Sequence, residues 1–457
     1  MKCRQLNSKE ILKSKRFDGS YHNADVNIYN SVITSHSSHT LSYYCSEIFT
    51  SGRNKRVYTK AEFGDPFLSN SDASSSDPFN TCKYSSKKYG YDESALLKGG
   101  MILTGRVGAI GQTVFVPKYW EKYRTQGSDN IIRIVVKHQF KNGFIYAYLA
   151  SKIGNLSFWK HATGGVQPFI TDKMVGQLPI PDFSETFQQE VDNLVQEAAR
   201  LREEATCALE KAKQTLKSFI NADFVKNNYK TSIVKSRNIF SSLQHRLDPP
   251  ALMNDGVVAM DKISSRMSTK IIADINAKVS RPGIFKRIYV ENGIPYIKGS
   301  EIFLNNPFRR CEHLSRTRTP FVDEMTLYEG QILITCAGSV GNIKMITKEY
   351  EDKKAIGSQD IIRLISNDEL FTKEYLFIYL QMPFVNDYIQ SMKYGSVIER
   401  IEPFHVESIP VITPTKELSE EISAIVRQYM DCTYRAFNAE EKAIQMVEQE
   451  IEKWNKH

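Results

Sequence analysis

The chain repeats itself, and this limits its architecture more than any other feature. Arg16-Phe17-Asp18 returns as Arg246-Leu247-Asp248, and Lys55-Arg56-Val57-Tyr58 as Lys286-Arg287-Ile288-Tyr289. Gly64-Asp65-Pro66-Phe67-Leu68 corresponds to Gly293-Ile294-Pro295-Tyr296-Ile297, and Gly100-Met101-Ile102-Leu103 to Gly330-Gln331-Ile332-Leu333. Gly108-Ala109-Ile110-Gly111 is matched 230 positions later by Gly338-Ser339-Val340-Gly341. At the same offset Gly127-Ser128 and Ile131-Ile132-Arg133 match Gly357-Ser358 and Ile361-Ile362-Arg363, and one residue further on Leu178-Pro179 matches Ile409-Pro410. Chance would not keep this order and register. Solenoid repeats run to roughly 20–50 residues, so each copy here is a whole domain with an extension.

Both copies share one layout. Short alternating segments such as Lys55–Tyr58 and Gln112–Val116 read as strands broken by glycine turns, and helical patterns near Phe144–Ile153 and Lys373–Leu380 interrupt them. The expectation is an α+β chain with two mixed α/β globules, residues 1–182 and 246–414. Each is followed by a long helix, residues 183–222 and 415–457, and a linker at 223–245 joins the copies.

The helices follow from an abrupt change in composition. Ser184 to Ile220 holds no Gly or Pro. Phe187, Val191, Leu194, Ala198, Leu201, Ala205, Ala208, Ala212, Thr215 and Phe219 alternate at spacings of four and three, the seam of a coiled coil. The second copy repeats it at Leu418, Ile422, Ile425, Tyr429, Cys432, Ala436, Ala439 and Ala443, then shifts by four to Val447 and Ile451 and ends at Trp454. Each helix would be roughly 55–60 Å long, too long to bury its seam alone. Antiparallel pairing of the two is the economical arrangement. The alternative, each helix lying on its own globule, suits a narrow seam of this length less well.

Composition excludes some classes. The 457 residues carry a net charge of +8, which permits a polyanionic partner without proving one. Seven cysteines are scattered with no CxxC spacing, against a disulfide framework or a zinc site. The absence of a long apolar run or signal-peptide pattern leads to the expectation of a cytoplasmic protein without a membrane partner.

Four patterns carry a resemblance to a known family. They are Gly293-Ile294-Pro295-Tyr296-Ile297-Lys298-Gly299-Ser300-Glu301-Ile302, the run from Glu329 to Gly341, the turn Thr163-Gly164-Gly165-Val166-Gln167, and Leu178-Pro179-Ile180-Pro181 leading into the helix. With the repeat and the helices, they resemble the specificity subunit of type I restriction-modification systems over nearly the whole chain. Two places depart from the pattern: Asn70–Lys88 is rich in Ser and Asp, and Tyr394-Gly395-Ser396-Val397-Ile398 lacks the Gln of the first copy. The resemblance implies two target-recognition domains held apart by an antiparallel coiled coil, reading a bipartite, asymmetric double-stranded DNA site. It also implies partners: two copies of an adenine methyltransferase subunit carrying S-adenosylmethionine, and an ATP-dependent restriction subunit. The chain itself would hold no cofactor or metal and perform no catalysis.

The remaining motifs fit that reading. The loops Arg106–Gly111 and Ala337–Gly341 lack a GxGxxG or GxxxxGK[ST] pattern and read as tight turns joining strands. Asp248-Pro249-Pro250-Ala251 approaches the Asp/Asn-Pro-Pro-aromatic tetrad of amino-methyltransferases, but Ala251 cannot stack on a flipped base. It reads as a rigid turn opening the second domain. Candidate DNA contacts in the first copy are Arg53, Lys55, Arg56, Lys87, Lys88, Tyr89, Arg106, Thr163 and Gln167. In the second they are Arg281, Lys286, Arg287, Lys298, Ser300, Arg309, Arg310, Tyr394, Ser396 and Arg400. Arg and Gln can read base edges, while Lys mainly neutralises phosphate. Two other readings stay open: a DNA-modifying enzyme with its own active site, and a scaffold of a defence complex that reads no sequence.

Overall fold

Runs of β-branched and aromatic residues, cut by glycine, become short strands in both copies. The computed structural model describes residues 7–14, 16, 17, 19, 21, 22, 24–53, 55–80, 82–89, 92–164, 166–221, 239 and 246–454. Asp18, and the expected linker apart from Ile239, lie outside the described residues. Two units are separated: Met1–Glu203 with Arg435–His457, and Glu204–Tyr434.

The first unit contains β1 (His39–Thr40), β2 (Cys45–Thr50), β3 (Tyr58–Thr59), β4 (Gly64–Leu68), β5 (Lys83–Ser86), β6 (Ile102–Gly105), β7 (Thr113–Phe115), β8 (Gln126–Gly127), β9 (Ile131–Val136) and β10 (Pro179–Ile180). One sheet runs β2-β9-β6-β7, a second β3-β5-β4-β8, and β1 pairs with β10. The second unit contains β11 (Thr269–Ile271), β12 (Ala277–Ser280), β13 (Tyr289–Val290), β14 (Ile294–Ile297), β15 (Glu312–Leu314), β16 (Ile332–Thr335), β17 (Ile343–Met345), β18 (Ile356–Gly357), β19 (Ile361–Ser366) and β20 (Pro410–Ile412). Its sheets run β12-β19-β16-β17, β13-β15-β14-β18 and β11-β20, the same order strand for strand. Register repeats too: Leu103 faces Arg133 as Leu333 faces Arg363.

Two local expectations are corrected. Of Lys55–Tyr58 only Tyr58 is in a strand, and the basic residues before it are exposed on a loop. The helix expected at Phe144–Ile153 is two helices, Asn142–Ala150 and Lys152–His161, because the Ser151 hydroxyl caps the second by accepting from the Gly154 N–H. The glycine loops are hairpin turns as expected, joining β6 to β7 and β16 to β17. Gly108 and Gly338 adopt φ of 75° and 72°, a conformation costly for residues with a Cβ.

One buried cation ties the two larger sheets together in each unit. Arg133 on β9 is 0 % exposed. Its Nη1 donates to the carbonyls of Ile131 (2.9 Å) and Ser128 (3.4 Å), and its Nη2 to those of Gly127 (2.6 Å) and Ala95 (3.1 Å). Arg363 on β19, 2 % exposed, bonds the carbonyls of Ile361, Ser358, Gly357 and Met325 in the same way. Burial pushes both pKa values down to about 10, so both remain charged at neutral pH.

The long helices are Glu185–Ile220 and Lys416–Trp454. Their buried stripe is wider than the narrow seam expected, taking in Val195, Leu209, Leu216, Val426, Met430, Phe437 and Ile444 as well. The reason is packing on the globule. In the first unit Val191 and Val195 share one core with Phe144, Ile145 and Tyr148, and so do Ala443, Ile444, Val447 and Ile451 from the end of the second helix. Trp454 stacks on Phe183 (4.7 Å) and on His36 (4.5 Å). Buried Glu440 accepts the Tyr146 hydroxyl at 2.8 Å and pairs with Arg202.

Two predictions follow from this packing. Burying Ile444, Val447 and Ile451 is worth about 5–9 kcal/mol in total, against a typical domain stability of about 5–15 kcal/mol. Deleting residues 435–457 should therefore unfold the first unit although they lie more than 200 residues beyond the rest of it. Hydrogen exchange would show it; protection retained in β6 and β9 would refute it. Arg133→Met should strand buried carbonyls and destabilise the first unit by at least about 2 kcal/mol. Arg363→Met should do the same to the second, each read as an earlier urea transition.

Candidate nucleic-acid interface

The loop that each buried arginine holds from inside organises polar side chains on the outside. In the first unit this is Gly127–Asn130. Asp129 forms ion pairs with Arg56 and, at 3.4 Å, with Arg53, joining two candidate cations to one carboxylate. The Asn130 carbonyl accepts the backbone N–H of Arg106 (2.8 Å) and the amide of Asn70 (3.3 Å). The Arg106 carbonyl in turn accepts from Ile170, and Thr163 and Phe169 exchange hydrogen bonds of 2.9 and 2.7 Å that close the turn carrying Gln167. Arg53, Arg56, Arg106, Thr163 and exposed Gln167 thus belong to one connected surface.

Lys87 and Arg124 both approach buried Asp65, at 3.7 and 3.5 Å. Asp65 lies on β4 beside β5, and Lys87 follows β5 directly. Lys88 lies 5.3 Å over the exposed ring of Tyr89, and Lys55 is exposed.

The second unit keeps the backbone framework and changes the side chains. The N–H equivalent to that of Arg106 belongs to Cys336, and it donates to the Asp360 carbonyl at 3.3 Å. The Cys336 carbonyl accepts from Ile401, and Tyr394 and Arg400 exchange bonds of 3.1 and 2.9 Å around the turn holding Ser396. Arg287 donates to the Tyr296 hydroxyl at 2.8 Å and lies 3.8 Å from Asp360, mirroring Arg56 with Asp129 one position apart. Arg281 turns inward: its side chain is 15 % exposed and is held by Glu402 (2.6 Å) and the Gln359 carbonyl (3.0 Å). Lys298 pairs with Glu312 at 2.7 Å, which raises its pKa. Lys286, Ser300, Ser396, Arg310 and Arg400 are exposed, and Arg309 is half-buried.

Sequence reasoning missed the organising acids Asp65, Asp129, Asp360 and Glu402, which lie far in sequence from the cations they hold. It also missed Asn70. Asp248 bonds Arg246 at 2.6 Å, which lowers its pKa, and precedes the short helix Pro249–Met253. Among the described residues no group of three or more His, Cys, Asp or Glu could hold a metal, no disulfide forms, and no helix is long and apolar enough to cross a membrane.

His405 supports the turn of the second unit. It stacks on Tyr394, and its Nδ1 accepts the Glu402 N–H at 2.9 Å, which requires a neutral ring. Burial lowers its pKa below the ordinary 6.5, although the Glu402 carboxylate opposes this and Arg246 adds to it. The unfolded chain thus takes up the proton first, and this contribution to stability is full above pH 6.5 and declines as pH falls below it. Thermal unfolding between pH 7 and 5 should show the loss, and His405→Gln should reduce the pH dependence; an unchanged slope would exclude this role.

Residues 268–446, from β11 well into the second long helix, match the family model for the type I restriction modification DNA specificity domain. No curated protein is significantly similar in sequence. Among solved structures, a type I restriction-modification S subunit from M. genitalium aligns at 12 % identity and a TM-score of 0.34, covering 92 % of this chain and 94 % of that one. The HsdS subunit from Thermoanaerobacter tengcongensis aligns at 14 % and 0.27, covering 91 % and 95 %. The family match spans all the strands of the second unit, and the first unit lies outside it.

Proposed function

We propose that this chain is the sequence-reading, non-catalytic subunit of a type I restriction-modification complex. The observation that carries the reading is one loop framework present twice with different side chains on it: Arg106 against Cys336, Gln167 against Ile398, Phe169 against Arg400. Two similar units with different surfaces read two different base tracts, which gives a bipartite, asymmetric target in double-stranded DNA. Half-sites about 34–36 Å apart would present the same groove face to both. The two long helices pair as an antiparallel coiled coil. In support, Arg202 pairs with Glu440 while Thr215 meets Glu421 at 3.5 Å, so positions rise along one helix as they fall along the other.

Catalysis lies on the partners. Two adenine methyltransferase subunits carry S-adenosylmethionine and receive the flipped adenine, and an ATP-dependent restriction subunit joins them. The candidate cations set register on the phosphates, and Gln167 reads a base edge.

The purified chain should neither methylate nor cleave DNA, and should direct a cognate adenine methyltransferase to one interrupted site. Methylation by the chain alone would overturn the reading. In the complex, Lys55→Ala or Lys286→Ala should weaken binding to every sequence and reduce the salt slope by about one phosphate's worth. Gln167→Ala should cost about 1–3 kcal/mol on the cognate site alone; equal losses on random DNA would remove Gln167 from the readers.

A further inference from the structure

A cleft in the first unit has two carboxamides at its edge. It is small and open to solvent, and is lined by Asn70, Thr104, Gly105, Ala109 and Gln112 among others. Arg106 follows Gly105 directly, so the cleft adjoins the surface built on Asp129 and Asn130. Asn70 uses one N–H on the Asn130 carbonyl, the same acceptor that holds the Arg106 backbone, which fixes its plane. The Gln112 amide has no partner among the described residues, and the Thr104 hydroxyl is buried without one. A half-exposed carboxamide without a protein partner bonds water, which a ligand group can replace.

The second unit closes the equivalent place. Asn70 is replaced by Gly299, and Gln112 by Asn342. Asn342 donates its side-chain amide to the Ser339 carbonyl at 3.4 Å and its N–H to the Thr335 hydroxyl at 3.0 Å, and that hydroxyl bonds the Ser339 carbonyl as well. The side chains at this place differ between the copies, as expected of groups that read sequence and not of groups that support the shared framework.

We propose that Asn70 and Gln112 are specificity-determining residues that read one adenine of the first base tract. A carboxamide offers a donor beside an acceptor, the complement of adenine N7 and N6 in the major groove. The Asn130 carbonyl and the neighbouring Arg106 position the pair against the duplex. This rests on the DNA-reading function proposed above.

The test is binding-site selection by the full-length chain from duplexes with randomised sequence. The wild type should enrich a motif of two tracts. Gln112→Glu keeps the acceptor and loses the donor, so one position of one tract should change from adenine towards cytosine, whose N4 only donates. Asn70→Ala should relax that same position, about five- to a hundredfold in discrimination. The other tract should be enriched unchanged by both variants, which also shows that they are folded. If both variants enrich the wild-type motif, Asn70 and Gln112 do not read bases and the proposal falls while the functional reading stands. If the wild type enriches no sequence, the functional reading falls and takes this with it.

Discussion

A guanidinium buried away from water must find acceptors, and in both units it finds them in the backbone. Arg133 and Arg363 sit on the central strands β9 and β19, and among the described residues no carboxylate bonds to either. Removing such an ion from water is costly, and the cost is offset only by carbonyls held in place to receive it. Those carbonyls come from β8 or β18, from the loop that follows, from the first residue of the central strand, and from Ala95 or Met325. One side chain therefore joins the two larger sheets and gives the loop its shape. The outward face of the same loop carries Asp129 or Asp360, so an interior cation sets where exterior cations are displayed.

The energetics of the exterior differ from those of the interior. Asp129 is buried, but Arg53 and Arg56 reach it from the solvent side, and pairs with an exposed partner contribute about 1 kcal/mol or less. That is too little to hold the unit together, but enough to keep flexible side chains oriented. It is also small enough for a phosphate to displace the carboxylate without disturbing the fold. Arg281 stands at the other extreme: clasped by Glu402 and the Gln359 carbonyl, it acts as a strut beneath the Tyr394 turn. The family match over residues 268–446 covers the second unit's sheets. The identical strand order of the first unit extends the architecture, though not the side-chain chemistry, to both.

Much of the fold was legible because the repeat marks positions where backbone geometry leaves no choice. Gly108 and Gly338 recur because both take a left-handed φ, and Arg133 and Arg363 because both must fill the same cage of carbonyls. The long helices were legible from their spacing, yet the narrow seam missed Val195 and Ile444, since spacing records that a face is buried and not that it touches both a helix and a globule. The site was less legible. A basic residue in a loop looks alike whether it is clasped, as Arg281 is, or exposed, as Lys286 is. The acids that decide between those states lie far away in sequence, and only folding brings them near.

The end of the last helix lies in the core of the first unit. During synthesis at roughly 5–20 residues per second, the sheets of that unit emerge long before Ile444, Val447 and Ile451 arrive. For many seconds the nascent chain exposes an unfinished apolar face, and its first unit matures only after the second has been made. A message cut short, or a ribosome stalled late, would leave the first unit unfinished. Completion of the second long helix acts as a checkpoint on the folding of the first unit.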